Sequence, residues 1–269
     1  MTDVKDLLST GDLDGALAGA KEGVRDNPAQ LAPRVLLFQL FSIIGEWERA
    51  MTQLNVCADL DPLALPMAQT YRQGLNSEVF RAEVFAGKRD PLVLGEPPEW
   101  LGLHIESLKQ FGAGRPDAGR ELRAKALDLA PATPGLVNET AFEWIADADQ
   151  RLGPVLECVV NGKYYWVPFQ RIKSIQLEAP ADLRDMVWTA AQFTWENDGQ
   201  AVGLIPTRYP GSAASADPAV RLARKTDWVE DAHGEVHGLG QRLLATETED
   251  IPVLDVRELQ LTSPTDEPA

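Results

Sequence analysis

Two of the three histidines, His233 and His237, lie four residues apart in the sequence HGEVH. Zinc proteases place two histidines at this distance on a helix, where both rings reach one metal ion. Gly234 and Gly238 disfavour a helix here, and the sequence identifies no third ligand, although zinc sites need three or four. We therefore interpret the pair as part of a surface turn, with a metal site as the alternative.

An acidic cluster lies in the segment FEWIADADQRLGP, which spans residues 142–154. Glu143, Asp147 and Asp149 could act as acid and base only in a pocket that separates their pKa values, and the sequence indicates none. Surface carboxylates are usually solvated. We expect these three to cap a helix and form ion pairs at a domain junction, with Arg151 as a partner. The alternative is an acidic contact for a basic residue on a partner helix.

An aromatic run, Tyr164-Tyr165-Trp166, follows in a segment with strand character. In a strand, Tyr164 and Trp166 share one face and Tyr165 takes the other. One face belongs to the core, so the other carries an aromatic side chain of the kind that anchors interfaces. The simpler explanation is packing between the two halves of the chain, which must bury their own interface.

These segments supply the residues that we expect to contact a partner, and they are Glu143, Trp144, Asp147, Asp149, Arg151, Tyr164, Tyr165, Trp166 and Arg171. We predict no catalytic residue and no cofactor. The sequence holds no GxxxxGKS/T phosphate loop, no GxGxxG motif and no GxSxG nucleophile elbow.

The N-terminal half repeats itself with a period of 34 residues. The matching positions are Gly11/Gly45, Ala16/Ala50, Ala20/Leu54 and Pro28/Pro62. A glycine between two helices, small residues in the second helix and a closing proline are the tetratricopeptide pattern. The small residues let antiparallel helices approach closely, and proline ends the second helix because it lacks an N–H.

The predicted helices cover residues 3–9, 12–26, 31–44, 46–60 and 64–86. Prolines and a glycine make residues 88–98 a loop. The pattern then returns with a helix from Trp100 and a turn at Gly114. One helix pair cannot bury its own apolar face, so the units should stack as a short solenoid, a fold that usually binds peptides.

The C-terminal half changes to strand patterns. Asn161-Gly162 is a strong hairpin signal between predicted strands at 155–160 and 163–168. Alternation over 189–196 places Ala191, Phe193 and Trp195 on one face. Further strand candidates lie at 172–177, 201–205, 226–230, 238–247 and 251–259.

These patterns predict an α+β protein. A tetratricopeptide-like α-α superhelix covers residues 1–140, and a small antiparallel β-sheet or barrel-like domain covers residues 141–261. Residues 141–153 form the junction, and residues 262–269 are predicted to be a disordered tail.

Charge and composition narrow the classes of partner. The 269 residues carry a net charge of −16, which disfavours nucleic acids and anionic membrane surfaces. No apolar run approaches the ~18 residues that span a bilayer, and the first residues lack a leader pattern. Cys57 and Cys158 are in no metal spacing and are interpreted as reduced thiols. We therefore predict a cytoplasmic protein.

The combination of helical repeats with a β-rich half resembles the ImpE family, also called TagJ or SciE-type proteins. The most specific stretches are FEWIADADQRLGP and NGKYYWVPFQRI, and LRDMVWTAAQFTW and LIPTRYPGS are also similar. The resemblance covers roughly residues 5 to 260. It implies a cytoplasmic, non-enzymatic accessory component of bacterial type VI secretion systems. It also implies binding to a short helix near the N-terminus of the small contractile-sheath subunit, which influences sheath assembly or turnover.

Two hypotheses from different classes remain. The first is an adaptor that captures an amphipathic helix, either on the concave face of the repeats or in the cleft between the halves. The second is a metal-dependent enzyme with a site in the β domain near His233 and His237, whose repeats recruit substrate. Self-association through uncapped repeat ends is a further option.

Overall fold

The computed structural model describes residues 4–262 and shows an α+β fold. The N-terminal helices are Val4–Thr10 (α1), Leu13–Asp26 (α2), Leu31–Ile43 (α3), Trp47–Leu60 (α4), Leu65–Phe85 (α5), Glu99–Gly112 (α6) and Pro116–Leu129 (α7). The five helices predicted with explicit bounds are all present, and their ends differ from the prediction by at most one residue. None of the helices between residues 4 and 262 is long and apolar enough to cross a membrane.

The turn that joins two helices has the same geometry in three units. Gly11, Gly45 and Gly114 follow α1, α3 and α6 with φ angles of 82°, 76° and 72°. Glycine adopts this left-handed conformation at little cost, which makes it the usual residue after a helix end. In each turn the next residue donates its N–H to the carbonyl five residues earlier, at 2.8 to 2.9 Å. The geometry of the turns confirms the predicted repeat.

The strands are Leu92–Val93 (β1), Gly135–Val137 (β2), Thr140–Phe142 (β3), Ala146–Asp147 (β4), Val155–Val160 (β5), Lys163–Pro168 (β6), Ile172–Leu177 (β7), Trp188–Trp195 (β8), Gln200–Pro206 (β9), Thr226–Glu230 (β10), Val236–Gly240 (β11), Leu243–Ala245 (β12), Asp250–Pro252 (β13) and Glu258–Leu261 (β14). A short helix, Pro218–Arg221 (α8), lies between β9 and β10.

The described strands form one large sheet and two small ones. The large sheet has nine strands in the order β1-β6-β5-β9-β8-β7-β14-β2-β3, and it is antiparallel except for the β1–β6 pair. The small sheets are β13-β12-β4 and the β10–β11 hairpin. Because the large sheet ends on the short strands β1 and β3, it is open, and the barrel-like alternative is wrong.

Four local predictions need correction. The segment 142–154, whose carboxylates the sequence predicts to cap a helix, is not helical: it contains the end of β3, strand β4 and a tight turn in which Leu152 donates its N–H to the Asp149 carbonyl at 2.9 Å. The loop at 88–98 contains β1, whose backbone pairs with β6. The predicted strand at 238–247 is two strands in different sheets, because Gly240 turns the chain with a φ of 87°. The predicted strand at 251–259 is also two strands in different sheets, β13 and β14, because residues Val253–Asp255 form a 3-10 turn between them.

The two faces of the large sheet belong to different cores. One face packs with the small β13-β12-β4 sheet around a core that contains Phe169, Phe193 and Ile251. The opposite face, called here the helix-side face, shares a core with the helices. There Tyr71 of α5 lies between Phe38 of α3, at 5.7 Å between ring centroids, and Trp188 of β8, at 5.9 Å.

Two arginines from the C-terminal half hold the ends of repeat helices. Arg208 is buried and donates to the carbonyls of Ile43 at 2.8 Å and Ser42 at 3.3 Å, at the end of α3. Arg224 donates to the carbonyls of Leu8 and Ser9 in α1, at 2.8 and 3.1 Å. The last carbonyls of a helix lack partners within the helix and carry partial negative charge, so both contacts are favourable.

The predicted domain boundary near residue 140 stays a prediction. Strand β2 already begins at Gly135, and the helix-side core contains residues from both halves. Thr262 donates its N–H to the Pro134 carbonyl at 2.9 Å. The predicted tail beyond it, residues 263–269, lies outside the described residues.

Candidate partner-binding site

A buried ion pair joins the helices to the sheet beneath α5. Glu157 of β5 is fully buried, and Arg81 of α5 is 3% exposed. Arg81 donates Nε to Oε1 of Glu157 at 2.6 Å and Nη2 to Oε2 at 2.8 Å. Burial opposes ionisation of Glu157, but the Arg81 guanidinium beside it holds its pKa below the ordinary value. The carboxylate therefore stays charged and paired.

Two of the predicted aromatic residues complete this junction. Tyr164 donates its hydroxyl hydrogen to Glu157, and Trp166 donates Nε1–H to the Tyr164 oxygen at 2.8 Å. Burial, with the Glu157 charge, raises the pKa of Tyr164 well above its ordinary value. The two rings pack against Phe80 and Phe85 of α5, each at 5.8 Å between centroids. Packing between the halves accounts for both aromatics.

The predicted carboxylates Asp147 and Asp149 extend the junction. Arg242 donates to Asp147 at 2.6 and 2.9 Å and lies 3.3 Å from Glu157. Asp149 pairs with Arg151 at 2.6 Å, as predicted, and accepts the Gly238 N–H at 2.9 Å. Because both carboxylates are buried and paired with arginines, they form a structural network.

The other predicted residues lie elsewhere. Tyr165 is half-buried and packs against the opposite core. Arg171 contacts Glu196 at 3.2 Å on the surface. Glu143 and Trp144 are exposed, and the Glu143 N–H is bound by Glu247 at 3.0 Å. The structure therefore does not bring the predicted partner-binding residues together into one surface.

The histidines occupy three different environments. His233 is exposed in a turn, and His237 is half-buried in β11. Within residues 4–262, no group of three or more His, Cys, Asp or Glu side chains is arranged to hold a metal ion. His104 is fully buried in α6, with Nε2 3.1 Å from the Arg151 carbonyl, and burial lowers its pKa to about 4.

A groove of about 670 Å³ lies beside α5, on the helix-side face of the sheet. Thr70, Tyr71 and Gln73 of α5 form its wall. Strands β7, β8 and β9 form its floor, with the exposed residues Gln176, Ala190, Gln192 and Val202. We call this feature the α5–sheet groove.

The register of the strands shows how the floor is built. Gln192 of β8 pairs with Val202 of β9 on one side and with Gln176 of β7 on the other, and Ala190 pairs with Leu204. Cross-strand partners lie on the same face. Sequence reasoning offered a cleft between the halves but named none of these floor residues, although the alternation of β8 already placed Gln192 and Thr194 opposite the apolar residues. The available signal was the small, uncharged character of that second face.

Comparison with known proteins adds independent evidence. Residues 139–260 match the family model described as ImpE protein. A curated protein of Pseudomonas aeruginosa, named type VI secretion system accessory component TagJ, is 44% identical over 262 residues. The match covers 97% of this chain and 92% of that protein.

This chain belongs to the ImpE family. The family model covers the sheet region, and the TagJ match extends the similarity through the helical repeats. An X-ray structure of a Vibrio parahaemolyticus protein has the same fold, with a TM-score of 0.85 at 27% identity. The structural match covers 97% of this chain and 98% of the Vibrio chain. The resemblance inferred from the sequence is confirmed.

Proposed function

We propose that this ImpE-family chain is a non-enzymatic, cytoplasmic accessory protein of a bacterial type VI secretion system. It binds a short helix of the small contractile-sheath subunit and thereby influences sheath assembly or turnover. The observation that carries the proposal is the 44% identity with TagJ over 97% of the chain.

Two features of the structure support a binding role. The buried carboxylates Asp147, Asp149 and Glu157 are paired with arginines and have little contact with solvent, so they lack access to a substrate. The α5–sheet groove offers an open surface with the dimensions of a helix-binding site. Helix-in-groove recognition needs a groove of this kind and no catalytic group.

The test is a titration of the full chain with the purified small sheath subunit of the host's own secretion system, followed by calorimetry. The matched control is the same subunit without its N-terminal helix. We expect saturable binding with one subunit per chain, which disappears in the control. Absence of binding by the intact subunit, or equal binding by both forms, would contradict the proposal.

A further inference from the structure

We propose that the α5–sheet groove is the place where the partner's helix lies, packed side by side with α5 as an added member of the helical layer. The inference rests on the proposed function and specifies its site and the chemistry of the helix. It replaces the predicted contact set around Tyr164 and Trp166, which the chain buries against its own helices.

The first argument is that the helical layer covers only part of the helix-side face. On the helix-side face, Val159, Trp188 and Leu204 are each at most 3% exposed. On the same face, two residues before Leu204 in β9, Val202 is 74% exposed. An antiparallel sheet can leave one face to water if that face is polar. Here Val202 and Ala190 join the uncharged Gln192 and Gln176 in one continuous open patch on inner strands, and such a patch fits a surface that another element covers.

The second argument is size. Strands β9, β8 and β7 are adjacent, and a spacing of about 4.8 Å puts the outer two about 10 Å apart. One α-helix with its side chains is about 10–12 Å across. The open part of these strands begins beyond the covered Trp188 and Leu204, and it comprises residues 190–195 of β8 and 200–203 of β9. At about 3.3 Å per residue this floor is about 13–20 Å long, which holds one helix of about three turns.

The third argument is charge. Among the described residues that line the groove, Glu178 alone carries a charge. The row of paired residues that crosses the floor runs from Val202 through Gln192 and Gln176 to Glu258, which is also acidic. The whole chain carries a net charge of −16. The occupant that fits is an amphipathic helix with an uncharged stripe of small and apolar residues and a lysine or arginine that reaches Glu178.

Two exposed valines on different sheets, Val202 and Val236, allow a matched pair of variants. Val202→Lys places a charge in the middle of the floor. Val236→Lys makes the same change on β11 of the separate two-stranded sheet, where valine is also exposed, at 53%. Neither change touches a buried side chain, and thermal unfolding of both variants is expected to match that of the unaltered chain. Gln192→Arg is a second floor variant, and Glu178→Lys tests the charge contact.

Each chain is titrated with a fluorescent peptide of the sheath subunit's N-terminal helix, read by anisotropy. We expect Val202→Lys and Gln192→Arg to raise Kd by at least about tenfold, because a charge is forced into the apolar contact. Val236→Lys should stay within about twofold. Glu178→Lys should weaken binding by about three- to tenfold, and the effect should shrink as salt is raised.

Two results would overturn the inference, and they are distinguishable. If the unaltered chain binds the peptide and both floor variants bind it equally well, the groove assignment is wrong and the proposed function stands. If the unaltered chain does not bind the peptide or the intact subunit, the proposed function is wrong and the groove assignment is withdrawn with it.

Discussion

The same face of the large sheet is built in two contrasting ways. Beneath α5 it carries the buried ion pair of Glu157 with Arg81 and the hydroxyl of Tyr164. On the next two strands, β9 and β8, it carries exposed, uncharged residues such as Val202 and Ala190. Burying a charge is costly unless its partner is held in place. The uncharged floor of the groove, which we propose as the helix-binding site, avoids that cost.

The largest loss of stability is expected when the buried ion pair beneath α5 is removed. Glu157→Ala leaves the buried Arg81 and Arg242 without their shared carboxylate. Removing one member of a buried ion pair costs about 3–5 kcal/mol in the free energy of unfolding. Urea denaturation at pH 7 measures it, with Val202→Lys as the comparison from the open part. A loss below about 1 kcal/mol would mean that the junction does not depend on this charge.

A second prediction separates the two arginines that hold helix ends. Arg208 is buried and donates to backbone carbonyls of α3, whereas Arg224 is exposed. We expect Arg208→Ala to lower the free energy of unfolding by about 2–3 kcal/mol, since hydrogen bonds to charged groups are stronger and these are shielded from water. Arg224→Ala should cost less than about 1 kcal/mol. Equal effects in chemical denaturation would contradict the assigned role of burial.

The third prediction concerns pH. Burial lowers the pKa of His104 to about 4, from an ordinary 6.5. The unfolded chain therefore binds a proton at a higher pH than the folded chain, so this contribution is complete above about pH 6.5 and is lost as the pH falls toward 4. We expect the titration of His104 to lower the free energy of unfolding by roughly 2 kcal/mol between pH 7 and pH 5.

Denaturation curves at several pH values measure how steeply the free energy of unfolding falls with pH. His104→Gln keeps an amide that can donate to the Arg151 carbonyl, and it removes the titration. The variant should therefore show a shallower decline over the same pH range. An unchanged slope would show that His104 titrates normally in the folded protein.

The smallest effect tests the docking of the repeat turns. A Cβ on Gly45 would lie 2.9 Å from the Cβ of Ala213, whereas a Cβ on Gly114 would meet nothing within 4 Å. Both glycines have positive φ, so alanine costs about 1 kcal/mol at either position. Gly45→Ala should cost about 1 kcal/mol more, because the loop must also move. Equal melting temperatures for the two variants would argue against close docking at Gly45.

Local signals made most helices and the main hairpin predictable. A glycine that recurs every 34 residues specifies the turns at Gly11 and Gly45, and Asn161-Gly162 specifies the link between β5 and β6. These signals act over a few residues, so they can be interpreted without knowledge of the tertiary fold. The predicted helix cap in segment 142–154 is wrong, because aspartates that cap a helix and aspartates that stabilise a buried turn have the same signature in sequence.

The buried ion-pair junction and the groove both depend on contacts between residues that are distant in sequence. Arg81 and Glu157 are 76 positions apart, and only the fold brings them together. A charged residue inside the apolar strand VLECVV was a usable signal for Glu157. For the α5–sheet groove the sequence offered only the uncharged second face of β8, because the groove itself arises from strand order and from where the helical layer ends. The neighbours of β8 and β9 are fixed by the whole sheet.

The most direct test of the account is site-specific photocrosslinking. A benzoylphenylalanine replaces Val202 on the groove floor in one chain and Val236 on the distant hairpin in another. Both chains are irradiated with the intact small sheath subunit, and the products are mapped by mass spectrometry. The account predicts crosslinks from position 202 to the subunit's N-terminal helix and none from position 236. Crosslinks to that helix from position 236 alone would contradict it.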